Sequence, residues 1–169
     1  MSIDFNDDHT PLGYLLTFRA YGTWLHGDKR GSVDRLHKRF GSPMLPLSER
    51  RSQIERLLLK QHPVRFDARQ RAAIESAARE TCTIRKWQLW ALNVRTNHVH
   101  CVITANRKPD EVLSALKANA TRTMREWSCW ISAQGPWAHR GSKKYLWTEK
   151  DLAEAIAYVI EEQGEPLKR

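Results

Sequence analysis

The chain is short of cysteine, of long apolar runs and of acid. Its three cysteines, Cys82, Cys101 and Cys129, stand far apart with no CxxC pair. That spacing excludes a zinc knuckle and a disulfide frame, and it predicts reduced thiols in a cytoplasmic protein. No run of 18 or more apolar residues occurs, so no segment is expected to span a membrane. The opening Met1-Ser2-Ile3-Asp4-Phe5-Asn6-Asp7-Asp8 is acidic and lacks the basic-then-apolar order of a secretory signal. Acids number 19 against 28 lysines and arginines, a formal net charge of +9. So large an excess points to a polyanionic partner, nucleic acid or a membrane surface. No internal repeat and no low-complexity tract interrupts the 169 residues, a length that suits one domain with a proper core.

What is present in quantity is tryptophan, seven residues, and basic charge. Most of the tryptophans are expected in the core, though some could stack on bases. Residues 27–40 carry Lys29, Arg30, Arg35, Lys38 and Arg39 against Asp28 and Asp34. We read 27–62 as a basic irregular insertion within the single domain 1–169, either a solvated loop or an arm that orders on phosphates.

The order of elements is legible from periodicity. Residues 12–21 alternate as a strand, with Tyr14, Leu16 and Phe18 on one face and Leu15, Thr17 and Arg19 on the other. A short helix is expected from Ser48 to Leu59. Asp67 caps a second helix to about Thr81 with Ala73, Ile74, Ala77 and Ala78 inward. Residues 82–94 read as a strand, joined through Arg95-Thr96 to a strand containing Asn97-His98-Val99-His100-Cys101-Val102-Ile103. Pro109-Asp110-Glu111 starts a helix to about Trp130. A loop over 131–143 and a strand at 144–147 follow, and Thr148 and Asp151 box the start of a last helix over about 150–163. Strand, helix, strand, strand, helix, strand is the split βαβ pattern of a ferredoxin-like, RRM-like α+β fold, with its antiparallel sheet covered by helices on one face.

The chemistry concentrates in the histidine strand. His98, His100, Val102 and Thr104 share a face, with the two imidazoles about 7 Å apart along the strand. Neutral ring nitrogens so placed can hold one divalent metal, although two ligands do not complete a shell and an exposed strand carries such pairs without metal too. On the last helix, Tyr158 stands beside the apolar stripe of Leu152, Ala155, Ile156 and Val159, with Glu154 before it and Glu161 and Glu162 after it.

Four segments together resemble one family. Tyr14-Leu-Leu-Thr-Phe-Arg-Ala-Tyr-Gly-Thr-Trp-Leu25, Asn97-His-Val-His100, Arg140-Gly-Ser-Lys-Lys-Tyr-Leu-Trp147 and Ala157-Tyr-Val159 are similar to the single-tyrosine HUH transposases of small insertion sequences and the REP-associated tyrosine transposases related to them. The likeness covers roughly residues 12–165. It implies that His98 and His100 ligate Mg²⁺ or Mn²⁺ and that Tyr158 attacks a scissile phosphate of single-stranded DNA. It implies a 5′-phosphotyrosine intermediate, strand transfer without ATP, and imperfect DNA hairpins as the recognised ends, for a monomer or a homodimer. The family's third ligand is commonly an amide one turn after the tyrosine. Here that position is Glu162, on the Tyr158 face of a regular helix, with Gln163 as the alternative in a frayed last turn. Candidate DNA-binding side chains are Lys29, Arg30, Arg35, Lys38, Arg39, Lys117, Arg122, Lys143 and Lys144, and the two last are also candidates for activating a phenol that ionises only near pH ~10.

Two other classes compete. One is a catalytically inactive or domesticated nucleic-acid-binding RRM-like module, although no aromatic K/R-G-F-x-F-like box lies on a strand. The other is a small Zn²⁺ or Fe²⁺ enzyme, which needs a third facial ligand that no neighbouring residue supplies.

Overall fold

Alternate side chains of the first strand part to opposite layers. The computed structural model describes residues 10–23 and 49–161. In β1 (Gly13–Arg19), Tyr14, Leu16 and Phe18 enter one apolar cluster while Leu15 packs against another. After α1 (Glu49–Leu57) come α2 (Ala68–Arg85), β2 (Gln88–Val94), β3 (His98–Thr104), α3 (Pro109–Glu126), β4 (Ser142–Leu146) and α4 (Glu149–Glu161). The strands form one antiparallel sheet in the order β2-β3-β1-β4. This is the ferredoxin-like arrangement, in which β1 and β2 run parallel with β3 between them.

Each face is buried by a different helical layer. Tyr14, Leu16, Phe18, Val99, Cys101 and Ile103 pack with Ala73, Ile74, Ala77, Ala78 and Cys82 of α2 and with Val112, Leu113, Leu116, Ala120 and Met124 of α3. Each large side chain fully buried there contributes about 1.5–3 kcal/mol. The opposite face is narrower. There Leu152, Ala155, Ile156 and Val159 of α4 lie on Leu15, Ala91, Val102 and Leu146.

Two expectations about boundaries are corrected. Residues 82–87 are not strand: α2 continues to Arg85, because Thr81 and Cys82 extend its buried stripe. Lys86 then ends the helix in the left-handed region (φ 56), and the Trp87 amide donates to the Cys82 carbonyl at 2.8 Å. Helix α3 stops at Glu126, short of the expected Trp130, and Trp127 is its C-cap, 38% exposed. Part of the 27–62 segment, residues 27–48, lies outside the described residues, while Glu49–Leu57 of it form α1.

One irregularity matters for function. Between Leu89 and Ala91 the pairing of β2 with β3 slips by one residue. The bulge at Trp90 brings Asn93 opposite His100, so Asn93 shares the α4 face with the histidines.

Candidate active site

Strand β3 carries His98 and His100 on the face that α4 partly covers. Their ring centroids are 4.6 Å apart at 74°. This is nearer than the strand repeat of about 7 Å, because the side chains lean toward each other above the pleat. Each ring is oriented from behind. His98 Nδ1–H donates to Asn97 Oδ1 at 2.6 Å, which leaves the lone pair of the neutral ring on Nε2. His100 Nδ1 shares a 2.7 Å hydrogen bond with Thr17 Oγ1 of β1, its cross-strand partner. Such bonds fix the tautomer and direction of metal-binding imidazoles.

Electrostatics keep His100 neutral. Burial pushes its pKa down to about 4, and the nearby His98 and Arg19 add to the effect. An imidazole uncharged at neutral pH has a lone pair to give to a metal.

Helix α4 brings Tyr158 to this pair. The Tyr158 ring centroid lies 5.8 Å from that of His100, edge to face at 80°, and the side chain is 37% exposed. Three features hold the helix there. Its apolar stripe seats on Val102 and Leu146. Asp151 accepts from the amides of Trp147 and Thr148, and Thr148 Oγ1 accepts from the Asp151 amide, which closes the expected capping box. Asn93 Nδ2 donates to the Val159 carbonyl at 3.1 Å.

The donor set fits half of a divalent site. Two imidazoles, each oriented by an acceptor or hydroxyl behind it, suit a first-row divalent ion. Among the described residues no group of three or more His, Cys, Asp or Glu side chains converges. Glu162 and Gln163 lie outside the described residues, as do Lys29, Arg30, Arg35, Lys38 and Arg39.

The other expected cations disperse. Lys117 is drawn inward, its ammonium donating to the Ala138 carbonyl at 2.8 Å and to the Arg140 carbonyl, and burial lowers its pKa. Arg122 faces Glu126 at 3.6 Å, one turn along α3. Lys143 pairs with Asp110 on the α2–α3 side of the sheet, opposite to Tyr158. Lys144 is exposed and lies on the α4 side. Sequence reading left Thr17, Arg19, Asn93 and Asn97 without roles. Thr17 and Arg19 were legible as a shared face, but their closeness to His100 depends on pairing across more than eighty residues.

The chain belongs to the IS200-like transposase family, whose model matches residues 57–162. A solved REP-associated tyrosine transposase bound to a REP hairpin is similar in fold, with a TM-score of 0.50 and 15% identity. That match covers 94% of this chain and 70% of the other. A Deinococcus radiodurans protein described as a transposase aligns with a TM-score of 0.47 and 15% identity over 95% of this chain and 97% of its own. No curated protein matches at a significant level. Among the described residues no helix is long and apolar enough to cross a membrane.

Proposed function

We propose that this transposase-family protein is a metal-dependent, single-tyrosine DNA nickase and strand transferase acting at hairpin-bearing ends of single-stranded DNA. The observation that carries the reading is the Tyr158 ring set against His100 within one chain. Hairpin DNA as the ligand follows the REP-associated transposase of similar fold, which is bound to a REP hairpin. The whole of 1–169 acts as one domain in the cytoplasm, where its substrate is.

In this reading the Tyr158 oxygen attacks the scissile phosphorus, and the phenolic proton passes to water. The bond from phosphorus to the 3′ oxygen breaks, and that oxygen leaves with a proton as a free 3′-hydroxyl. The 5′ side stays joined to Tyr158 as a phosphodiester. Its bond energy is conserved, so a second 3′-hydroxyl can reverse the step and join a new strand. His98 and His100, with Glu162 or Gln163, would hold Mg²⁺ or Mn²⁺, which polarises a non-bridging oxygen and offsets developing charge by several kcal/mol. Arg19, paired with His98 across the strands, adds a guanidinium at the same end of the sheet. Of the two lysines of β4, Lys144 shares the α4 side with Tyr158, and Lys143 is turned to the other side.

The test is incubation of purified protein with Mn²⁺ and labelled hairpin oligonucleotides, followed by a search for an SDS-stable adduct. The adduct is expected from the wild type, absent in Tyr158→Phe, and absent in His98→Ala while hairpin binding persists. A His98→Ala protein that cuts at the wild-type rate would overturn the metal assignment. Hairpin binding with no adduct under any divalent ion would favour the inactive binding module.

A further inference from the structure

The outer edge of the sheet carries an aromatic pair that the proposed chemistry leaves unused. Tyr145 and Trp147 are 45% and 47% exposed, and their rings stack 5.9 Å apart at 11°. They sit on and just after β4, the edge strand beside β1, and among the described residues no strand pairs with its outer side.

Both aromatics are held in place from behind. The buried Tyr14 meets Tyr145 edge-on at 5.3 Å and 87°, and its hydroxyl donates to the Arg107 carbonyl at 3.0 Å. The Trp147 amide donates to Asp151. A rigid pair of parallel rings offers a π-face at little ordering cost.

The surrounding charge selects the occupant. Lys144, just before Tyr145 in sequence, is exposed, and so are Arg107 and Lys108 in the loop that Tyr14 anchors. Of the acids nearby, Asp110 pairs with Lys143, and Asp151 is turned onto two backbone amides. Exposed π-faces flanked by exposed cations suit the bases and phosphates of an unpaired strand.

Position links the pair to the active site. Thr17 lies opposite both Ser142 and His100, and Tyr145 is three residues beyond Ser142. This puts Tyr145 roughly 10 Å along and 10 Å across the sheet from His100, a span of a few nucleotides. The two sites lie on opposite faces of the sheet, with Lys144 turned to the α4 face at the edge a strand would round.

We propose that Tyr145 and Trp147 form a base-stacking platform for unpaired nucleotides flanking the hairpin, on the strand that leads to Tyr158. The proposal rests on the hairpin-DNA reading above. Its test compares a blunt hairpin with one carrying a single-stranded arm of about five thymidines, a length within the site sizes of single-strand binders. The wild type is expected to bind the armed hairpin more tightly. Trp147→Ala should lose about tenfold or more on the armed hairpin while binding the blunt one as the wild type does. That unchanged blunt affinity also reports an intact fold, and Trp147→Phe should keep most of the gain. Tyr145→Ala should behave as Trp147→Ala does. A Trp147→Ala protein that keeps the full gain from the arm overturns the platform. So does one whose change is in sedimentation mass, which would make this edge a contact with a second copy. A wild type that gains from the arm through Trp147 yet forms no adduct keeps the platform and removes the nuclease reading. Adduct formation with no contribution from Trp147 does the reverse.

Discussion

Asn93 and Val159 tie the sheet to the helix that carries Tyr158. The Asn93 amide nitrogen lies 3.1 Å from the Val159 carbonyl. That carbonyl belongs to the last described turn of α4. Asn93 also sits opposite His100, so one residue is neighbour to the histidine strand and to the residue after Tyr158.

Replacing Asn93 by leucine keeps the bulk and removes the donor. Adduct formation is expected to slow by about ten- to a hundredfold, since small misplacement of a nucleophile is costly. Hairpin affinity should hold, and the stability cost should be about 1 kcal/mol. Rates from single-turnover adduct formation, set beside Kd from filter binding, check this. An unchanged rate would mean that the stripe and cap of α4 suffice to aim Tyr158.

Thr17→Val should weaken metal binding while sparing the strand. Valine preserves the shape but leaves His100 Nδ1, in a ring only 8% exposed, without its hydroxyl partner. Removing such an outer hydrogen bond is expected to lower Mn²⁺ affinity by about ten- to a hundredfold. Thermal unfolding should report a loss of about 1–3 kcal/mol. Thr17→Ser should restore both. Calorimetric titration with Mn²⁺ decides, and equal affinity in the valine variant would show that Thr17 does not orient the ring.

The parts of this molecule that were legible in its sequence are those set by local periodicity. A period of two in residues 14–19 and 98–103 assigned each side chain to its layer, and α4 betrayed itself through Thr148, Asp151 and its apolar stripe. The end of α2 was hidden, because Cys82, Thr83 and Ile84 have β-prone side chains and Lys86 takes a left-handed turn that usually calls for glycine. The bulge at Trp90 was hidden too, and with it the place of Asn93 beside His100. Of the expected site, Tyr158, His98 and His100 meet in space. The dispersal of Lys117 and Lys143 depends on the Ala138 and Arg140 carbonyls and on Asp110, partners that linear charge counting does not pair with them.

Acid should loosen α4 before the rest of the sheet. Backbone amides of Thr148 and Trp147 and the Thr148 hydroxyl, with help from Lys144, hold the Asp151 pKa below its ordinary 3.8. A carboxylate with a depressed folded-state pKa stabilises fully above its unfolded pKa and ceases to do so as pH falls through the folded value. The contribution of the cap should therefore be present at pH 5 and above and vanish as pH drops below about 4. Asp151→Asn should remove most of that acid dependence. Amide hydrogen exchange in α4, compared between wild type and variant across this range, reads the effect. Equal exchange in the two proteins at neutral pH would show that the cap does not hold the helix.

Gly141 is placed where a side chain would wedge β4 away from the strand that orients His100. A Cβ there would lie 2.7 Å from the Thr17 carbonyl oxygen and 3.2 and 3.3 Å from the Leu113 methyl groups. Backbone on one side and a packed leucine on the other leave little room to yield. Gly141→Ala should cost about 1–3 kcal/mol, as overpacking does. Because Thr17 also contacts His100, the same substitution should weaken Mn²⁺ binding, which a purely peripheral turn would not do. Gly135, in the same loop, is the control: a Cβ there meets nothing within 4 Å. Gly135→Ala should stay within about 0.5 kcal/mol of the wild type and leave metal binding unchanged. Urea midpoints and Mn²⁺ titrations of the two variants side by side make the comparison. Equal behaviour of the two alanines would mean that β4 shifts freely and that the Thr17–His100 geometry does not depend on where β4 sits.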